Sequence, residues 1–262
     1  MTGLPILMYH SLDTSGSVIS TSPSWFRATM AALHAEGFAC VDLNDWISAG
    51  RPAVERGFAL TFDDGLASLT IAAETMAHHG FSATAFLVAG RMGRDNGWAG
   101  VRRGIPSLAL LDWSDLAALR DAGIRFGAHT MSHPYLGVCD KNEMEREILH
   151  SRESIEDHTG VPCPLFSYPY GDAPASARTL VKRRFSAGFG TRLAFAPASE
   201  DHACLSRVDA YYLRSPRNLE RFISGRWSGY LRARRTARAV RRTIAVARSA
   251  ASGYGSAPDG RR

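Results

Sequence analysis

The sequence predicts an α/β fold in which parallel strands carry helices on their outer side, closed as a barrel or laid out as a doubly wound sheet. Three observations lead there. Short apolar runs alternate repeatedly with helix-length amphipathic segments, the pattern of successive β-α units. Polar residues stand directly after several of those runs, at His10, Asp63-Asp64, His129 and Tyr170, and active sites of parallel barrels gather at the C-terminal strand ends. Finally, 262 residues, 45% hydrophobic and 21% charged, suit one large globular domain, long enough to bury a sizeable core.

The elements follow in order. Pro5–Tyr9 reads as a buried first strand that delivers His10. Ser22-Pro23 caps a helix with proline at its first position; Phe26, Met30 and Leu33 recur at helical spacing, and Gly37 stops it. Phe38–Leu43 reads as a second strand and Phe58–Phe62 as a third, which runs straight into Asp63-Asp64-Gly65. Leu66–His79 is a helix ended by Gly80, and Ala83–Val88 a strand. Gly90–Pro106, rich in Gly and Arg, is a loop of a length that often carries function. Asp112–Ala122 is a helix, Ile124–Ala128 a strand that delivers His129, and Asn142–His158 an amphipathic helix. Leu165–Tyr168 is a strand ending at Pro169-Tyr170-Gly171, Pro174–Arg184 a helix and Ala187–Gly190 a further strand.

The net charge of +6 belongs to one end of the chain. Residues 226–262 hold ten Arg and one acidic residue, Asp259, which leaves 21 basic and 24 acidic residues in the body. A nucleic-acid footprint spread over the fold is therefore not expected. The chain divides into a domain over 1–225 and a basic amphipathic helix with a disordered tail over 226–262. That helix reads in two ways: packed on the barrel with a solvated Arg face, or in peripheral contact with an anionic membrane through residues 226–248. The N-terminal apolar run is short and lacks a basic leader, and no stretch approaches ~20 apolar residues. The expected location is the cytoplasm, either free or at the inner face of the membrane. Cys40, Cys139, Cys163 and Cys204 form no Cys-x-x-Cys pair and read as buried thiols.

Three constellations carry chemistry. Two adjacent carboxylates leaving an apolar strand, Asp63 and Asp64, are costly unless solvated, paired or metal-bound; alone they also read as a solvated turn. His129 and His133 in His-Thr-Met-Ser-His can face one ion, and Pro134 favours a loop there; alone they also read as two unrelated histidines. Together, two His and one carboxylate are a familiar zinc set with a position open for water, and the second carboxylate is left to take a proton. Spacing does not say which aspartate does which. In Phe166-Ser167-Tyr168-Pro169-Tyr170-Gly171, an aromatic turn after a strand could offer an N–H to a developing oxyanion and ring faces to a sugar; alone it also reads as an ordinary Pro/Gly turn.

Thr61–Gly65, His129–His133 and Phe166–Gly171 resemble, in that order, the first three motifs of the NodB-homology polysaccharide deacetylases, carbohydrate esterase family 4. Ile6-Leu7-Met8-Tyr9-His10, Ala83–Leu87 and Trp113…Gly123…Gly127-Ala128-His129 extend the resemblance over roughly residues 5–210. It implies a distorted (β/α)7 barrel and one divalent metal ion, usually zinc. The implied reaction is removal of acetyl groups from N-acetylhexosamine units of a polysaccharide or its precursor. By position it implies Asp63 as general base, Asp64, His129 and His133 as metal ligands, and the Tyr170 N–H at the oxyanion. Tyr168, Pro169 and Tyr170 form the expected sugar-binding rim.

Two positions depart from the family pattern. Many members carry Arg where this chain has Ser167, which removes one cation near Asp63. Many also end in a Leu-x-His motif that supplies the general acid, where this chain has Leu205-Ser206-Arg207. The Tyr-Pro-Tyr-Gly and Leu-x-Arg forms, with the Met-Tyr-His start, resemble a branch tied to exopolysaccharide biosynthesis. His10, at a strand end, is the candidate acid, against a structural role in capping that strand; His202 is a weaker one. Two other readings stay open: a metal-dependent amidohydrolase acting on a cyclic amide or imide, and a non-catalytic carbohydrate-binding protein.

Overall fold

A computed structural model describes residues 3–101 and 103–237. In chain order the elements are β1 (Ile6–Tyr9), the short pair β2 (Ser11–Leu12) and β3 (Ser20–Thr21), α1 (Pro23–Ala35), β4 (Ala39–Cys40), α2 (Leu43–Ser48), β5 (Gly57–Phe62), α3 (Leu69–His78) and β6 (Ala83–Leu87). They continue with α4 (Leu116–Asp121), β7 (Ile124–Ala128), α5 (Lys141–Thr159), β8 (Leu165–Ser167), α6 (Ala175–Arg184), β9 (Ala187–Leu193), β10 (Leu205–Asp209) and α7 (Pro216–Ile223).

The strands run side by side in the order β1, β10, β9, β8, β7, β6, β5, and β5 pairs again with β1. That last pairing, with Ile6 opposite Ala59 and Tyr9 opposite Phe62, closes a seven-stranded parallel barrel. β4 adds to the start of β5, with Ala39 opposite Gly57. All six residues of β5 and all five of β6 are buried, as parallel strands covered on both faces require. This is why those strands read as unbroken apolar runs.

The outer helices show their local causes. Ser22 accepts a hydrogen bond from the Trp25 N–H at the start of α1, which buries Phe26, Met30 and Leu33. Asp140 caps α5 by accepting from the Glu143 N–H, and Gly160, at φ 67°, ends it in the left-handed region. Met144, Ile148 and Ile155 form the buried stripe of α5.

The strand expected over 38–43 shrinks to Ala39–Cys40. Asp42 instead accepts from the Asn44 and Asp45 N–H groups and starts α2, so a capping side chain overrides the apolar run. All four cysteines are free, but only Cys163 is buried; the other three are partly exposed.

Residues 227–237 are helical. Trp227 and Leu231 are buried, and the Trp227 ring meets Phe222 edge-on at 5.2 Å. The first turns of the basic segment therefore pack on the barrel. The rest of that segment, including 238–248 of the expected membrane contact, lies outside the described residues. Among the described residues no helix is long and apolar enough to cross a membrane.

Candidate active site

Parallel closure brings the C-terminal ends of β1, β5, β7, β8 and β10 to one mouth. β5 delivers Asp63 and Asp64, 3% and 5% exposed. β7 passes directly into residues 129–133, whose two histidines are buried as well. Asp64 Oδ1 lies 3.5 Å from His129 Nε2 and 3.4 Å from His133 Nε2. Among the described residues, Asp64, His129 and His133 are the group whose ligand atoms converge within 4.8 Å.

Their spacing suits a shared ion. The distances exceed the ~2.7–3.2 Å of an N–H···O hydrogen bond but approach the ~3.3 Å edge of a tetrahedron with ~2.0–2.1 Å bonds. His129 Nδ1 donates to the Ser167 carbonyl oxygen at 2.8 Å; that bond fixes the tautomer and turns the Nε2 lone pair toward Asp64. Burial alone would raise the Asp64 pKa. The two imidazoles outweigh it and hold the carboxyl well below its usual range.

Asp63 sits in a second network. Arg207, only 1% exposed, reaches it from β10 with Nη1 at 2.6 Å from Oδ1 and Nη2 at 2.7 Å from Oδ2. The remaining guanidinium donors go to Gly190 O, Thr61 Oγ1 and Ser167 Oγ. The Ser167 hydroxyl donates to Asp63 Oδ2 at 3.3 Å. Burial again pushes the Asp63 pKa up, and Arg207 first, then His129, outweigh it and bring it down. The expectation that Ser167 costs Asp63 a cation is therefore corrected: the small serine leaves room in the barrel, and the guanidinium arrives from β10.

The mouth opens into a cavity of about 840 Å³ lined by, among others, His10, Trp98, Tyr135, Tyr170, Asp172 and Tyr211. Trp98 covers the His133 ring at 4.4 Å, Tyr170 meets His133 edge-on at 4.5 Å, and Tyr135 stacks on Tyr170 at 3.9 Å. Burial pushes the Tyr170 phenol up to about 12, so it stays neutral. Six non-glycine residues have positive φ among the described residues, and four of them are Asp64, Thr130, His133 and Tyr170. Strained backbone concentrates at this mouth, as it does at functional sites generally.

His10 is half-buried, lines the cavity and lies near enough to act electrostatically on both aspartates. His202 stands in a short turn and is not among the lining residues. Of the expected rim, Tyr170 is partly exposed and lines the cavity. Tyr168 borders the cavity but is fully buried, with its hydroxyl donated to Ala203 O at 2.7 Å, and Pro169 is buried.

Sequence reasoning missed Arg207, Trp98 and Tyr135. Arg207 drew notice only as a place without histidine. Trp98 lies in the long loop singled out for its length, near a bridge that pairs Asp95 with Ala109.

A sequence model described as "Polysaccharide deacetylase" matches residues 50–184. Among curated proteins, "Putative polysaccharide deacetylase YxkH" of Bacillus subtilis is 24% identical over 172 residues, 64% of this chain. The match spans only 57% of that relative's length. Among solved structures, the Streptococcus pyogenes deacetylase PplD in complex with acetate superposes with a TM-score of 0.73 at 20% identity, covering 84% of this chain and 98% of that one. IcaB from Ammonifex degensii gives a TM-score of 0.67 at 20% identity, covering 86% and 97%. At these identities the structural likeness establishes the fold.

Proposed function

The chain belongs to the polysaccharide deacetylase family, and on that premise we propose that it is a metal-dependent hydrolase removing acetyl groups from N-acetylhexosamine units of a polysaccharide or its precursor, in exopolysaccharide or cell-envelope metabolism. One observation carries the reading: a buried Asp-His-His group with converging ligand atoms beside a second carboxylate held ionised by Arg207.

Asp64 Oδ1, His129 Nε2 and His133 Nε2 would hold the ion, taken to be zinc. Bound there, such an ion supplies Lewis-acid polarisation of the acetamide carbonyl and lowers the pKa of water beside it. Asp63 is the general base. A carboxylate has about four acceptor positions; Arg207 and Ser167 fill one on Oδ1 and two on Oδ2, so Oδ1 is the atom left to take the proton of the attacking water. The Tyr170 N–H, on its left-handed turn at φ 58°, donates to the oxyanion. The exposed Tyr135 ring, stacked on Tyr170, offers its outer face to the sugar. As the C–N bond breaks, His10 acts as general acid and gives a proton to the leaving nitrogen, and acetate and a free amine depart.

Acetate release, screened over N-acetylated oligosaccharides with the zinc-loaded protein, tests this reading. Release is expected from at least one substrate and should cease with chelator. In the same assay His10→Ala should keep its metal and lose turnover; near-normal turnover removes His10 from the mechanism. Release that persists in chelator contradicts the metal's role, and no release from any substrate with metal bound favours a binding protein instead.

A further inference from the structure

We infer that Glu147, on α5, is the positioning residue that holds the two histidines in place for a metal ion; the inference rests on the reading of those histidines as ligands. Between them the chain adopts a costly shape. Thr130 has φ 70° and His133 φ 62°, and a left-handed conformation is unfavourable for a residue with a side chain. Such a shape persists only where surrounding contacts over-determine it.

Those contacts come from two sides. On the barrel side the Ala89 N–H donates to Thr130 O at 3.0 Å and the Gly90 N–H to Met131 O at 2.9 Å. A Cβ at residue 90 would stand 2.6 Å from that Met131 oxygen, so only glycine permits the approach. Within the loop, Thr130 Oγ1 accepts from the His133 N–H at 3.0 Å. On the outer side every donor turns to one carboxylate. The Met131 and Ser132 N–H groups meet Glu147 Oε2 at 2.8 and 2.9 Å, and the Ser132 hydroxyl meets Oε1 at 2.6 Å.

Two successive N–H groups converging on one oxygen form a small anion cradle, and bonds to an ionised acceptor are the stronger kind. The helix that carries the carboxylate is fixed, because Met144, one turn earlier, and Ile148, the next residue, are buried in the core. Glu147 takes its hydrogen bonds from Met131 and Ser132 rather than from the imidazoles. It holds the three residues between them, so the direction of His133 relative to His129 depends on it. Partners of this indirect kind typically change metal affinity 10–100-fold.

The test is zinc titration of the metal-free protein against a chromophoric chelator, with the visible spectrum of the cobalt(II)-loaded protein as a second readout. Glu147→Ala should weaken zinc binding on the order of 10–100-fold and alter the cobalt spectrum. Glu147→Gln, whose amide oxygen still accepts the two N–H groups, should recover part of the affinity. Glu153→Ala, exposed on the same helix, should change neither. Should Glu147→Ala fail to fold, Glu147→Asp, one methylene shorter, carries the same expectation. Wild-type affinity and spectrum in the Glu147 variants, with stability alone reduced, overturn the inference. Failure of the wild type to bind an ion overturns the metal reading on which it rests.

Discussion

Arg207 lies inside the barrel with every N–H donor engaged, and two of them grip the carboxylate of Asp63. The guanidinium is what keeps a fully buried acid ionised, against the burial that would neutralise it. The sign of its effect on pH follows. Asp63 must be ionised to accept a proton, and its pKa is depressed, so activity is lost as pH falls through that low value. The contribution of the pair to stability is likewise present above the unfolded aspartate pKa, ~3.9, and lost as pH falls through the folded one. Arg207→Met should move the acid limb of the pH–rate profile upward and destabilise the fold by roughly 3–5 kcal/mol, the usual cost of stranding a buried charge. An acid limb that stays in place would show that Arg207 does not set the base. The sequence shows Arg207 as plainly as any residue, but not the empty space beside Ser167 that it fills from β10, because that proximity exists only after closure.

The elements differ in how readily they can be read. β5 and β6 are legible because burial on both faces demands an unbroken apolar run. β10, with the sequence Leu-Ser-Arg-Val-Asp, is not, because Arg207 turns inward to Asp63 while Ser206 turns to Glu200 and Arg192, and the polar residues break the apolar pattern. α2 is hidden for another reason: its start depends on the Asp42 side chain, which competes with strand for the same apolar stretch. Of the basic C-terminal segment the described residues reach to 237, and there Trp227 packs against Phe222 and Phe195, a contact that the periodicity of the segment does not specify. This element carries its own expectation. Trp227→Ala should cost about 3–5 kcal/mol, read as a lower denaturant midpoint at unchanged slope. An unchanged midpoint would mean that the first turns of this helix are not anchored on the barrel.

At the scale of the molecule, seven parallel strands bring residues as far apart in sequence as Asp63 and Arg207 to one end of one barrel. The Asp-His-His group is legible because its residues fall after strands and in order. The supporting shell of Arg207, Glu147 and Trp98 was not, because each reaches the site from an element whose own pattern reports only packing. The account stands on a division of labour between neighbours, Asp64 for the ion and Asp63 for the proton. Metal content and acetate release, measured on the same preparations of wild type and Asp63→Asn, test it most directly. The account predicts one ion per chain in both proteins and acetate release from the wild type alone. Asp63→Asn protein that releases acetate at the wild-type rate, or that has lost its ion, would contradict it.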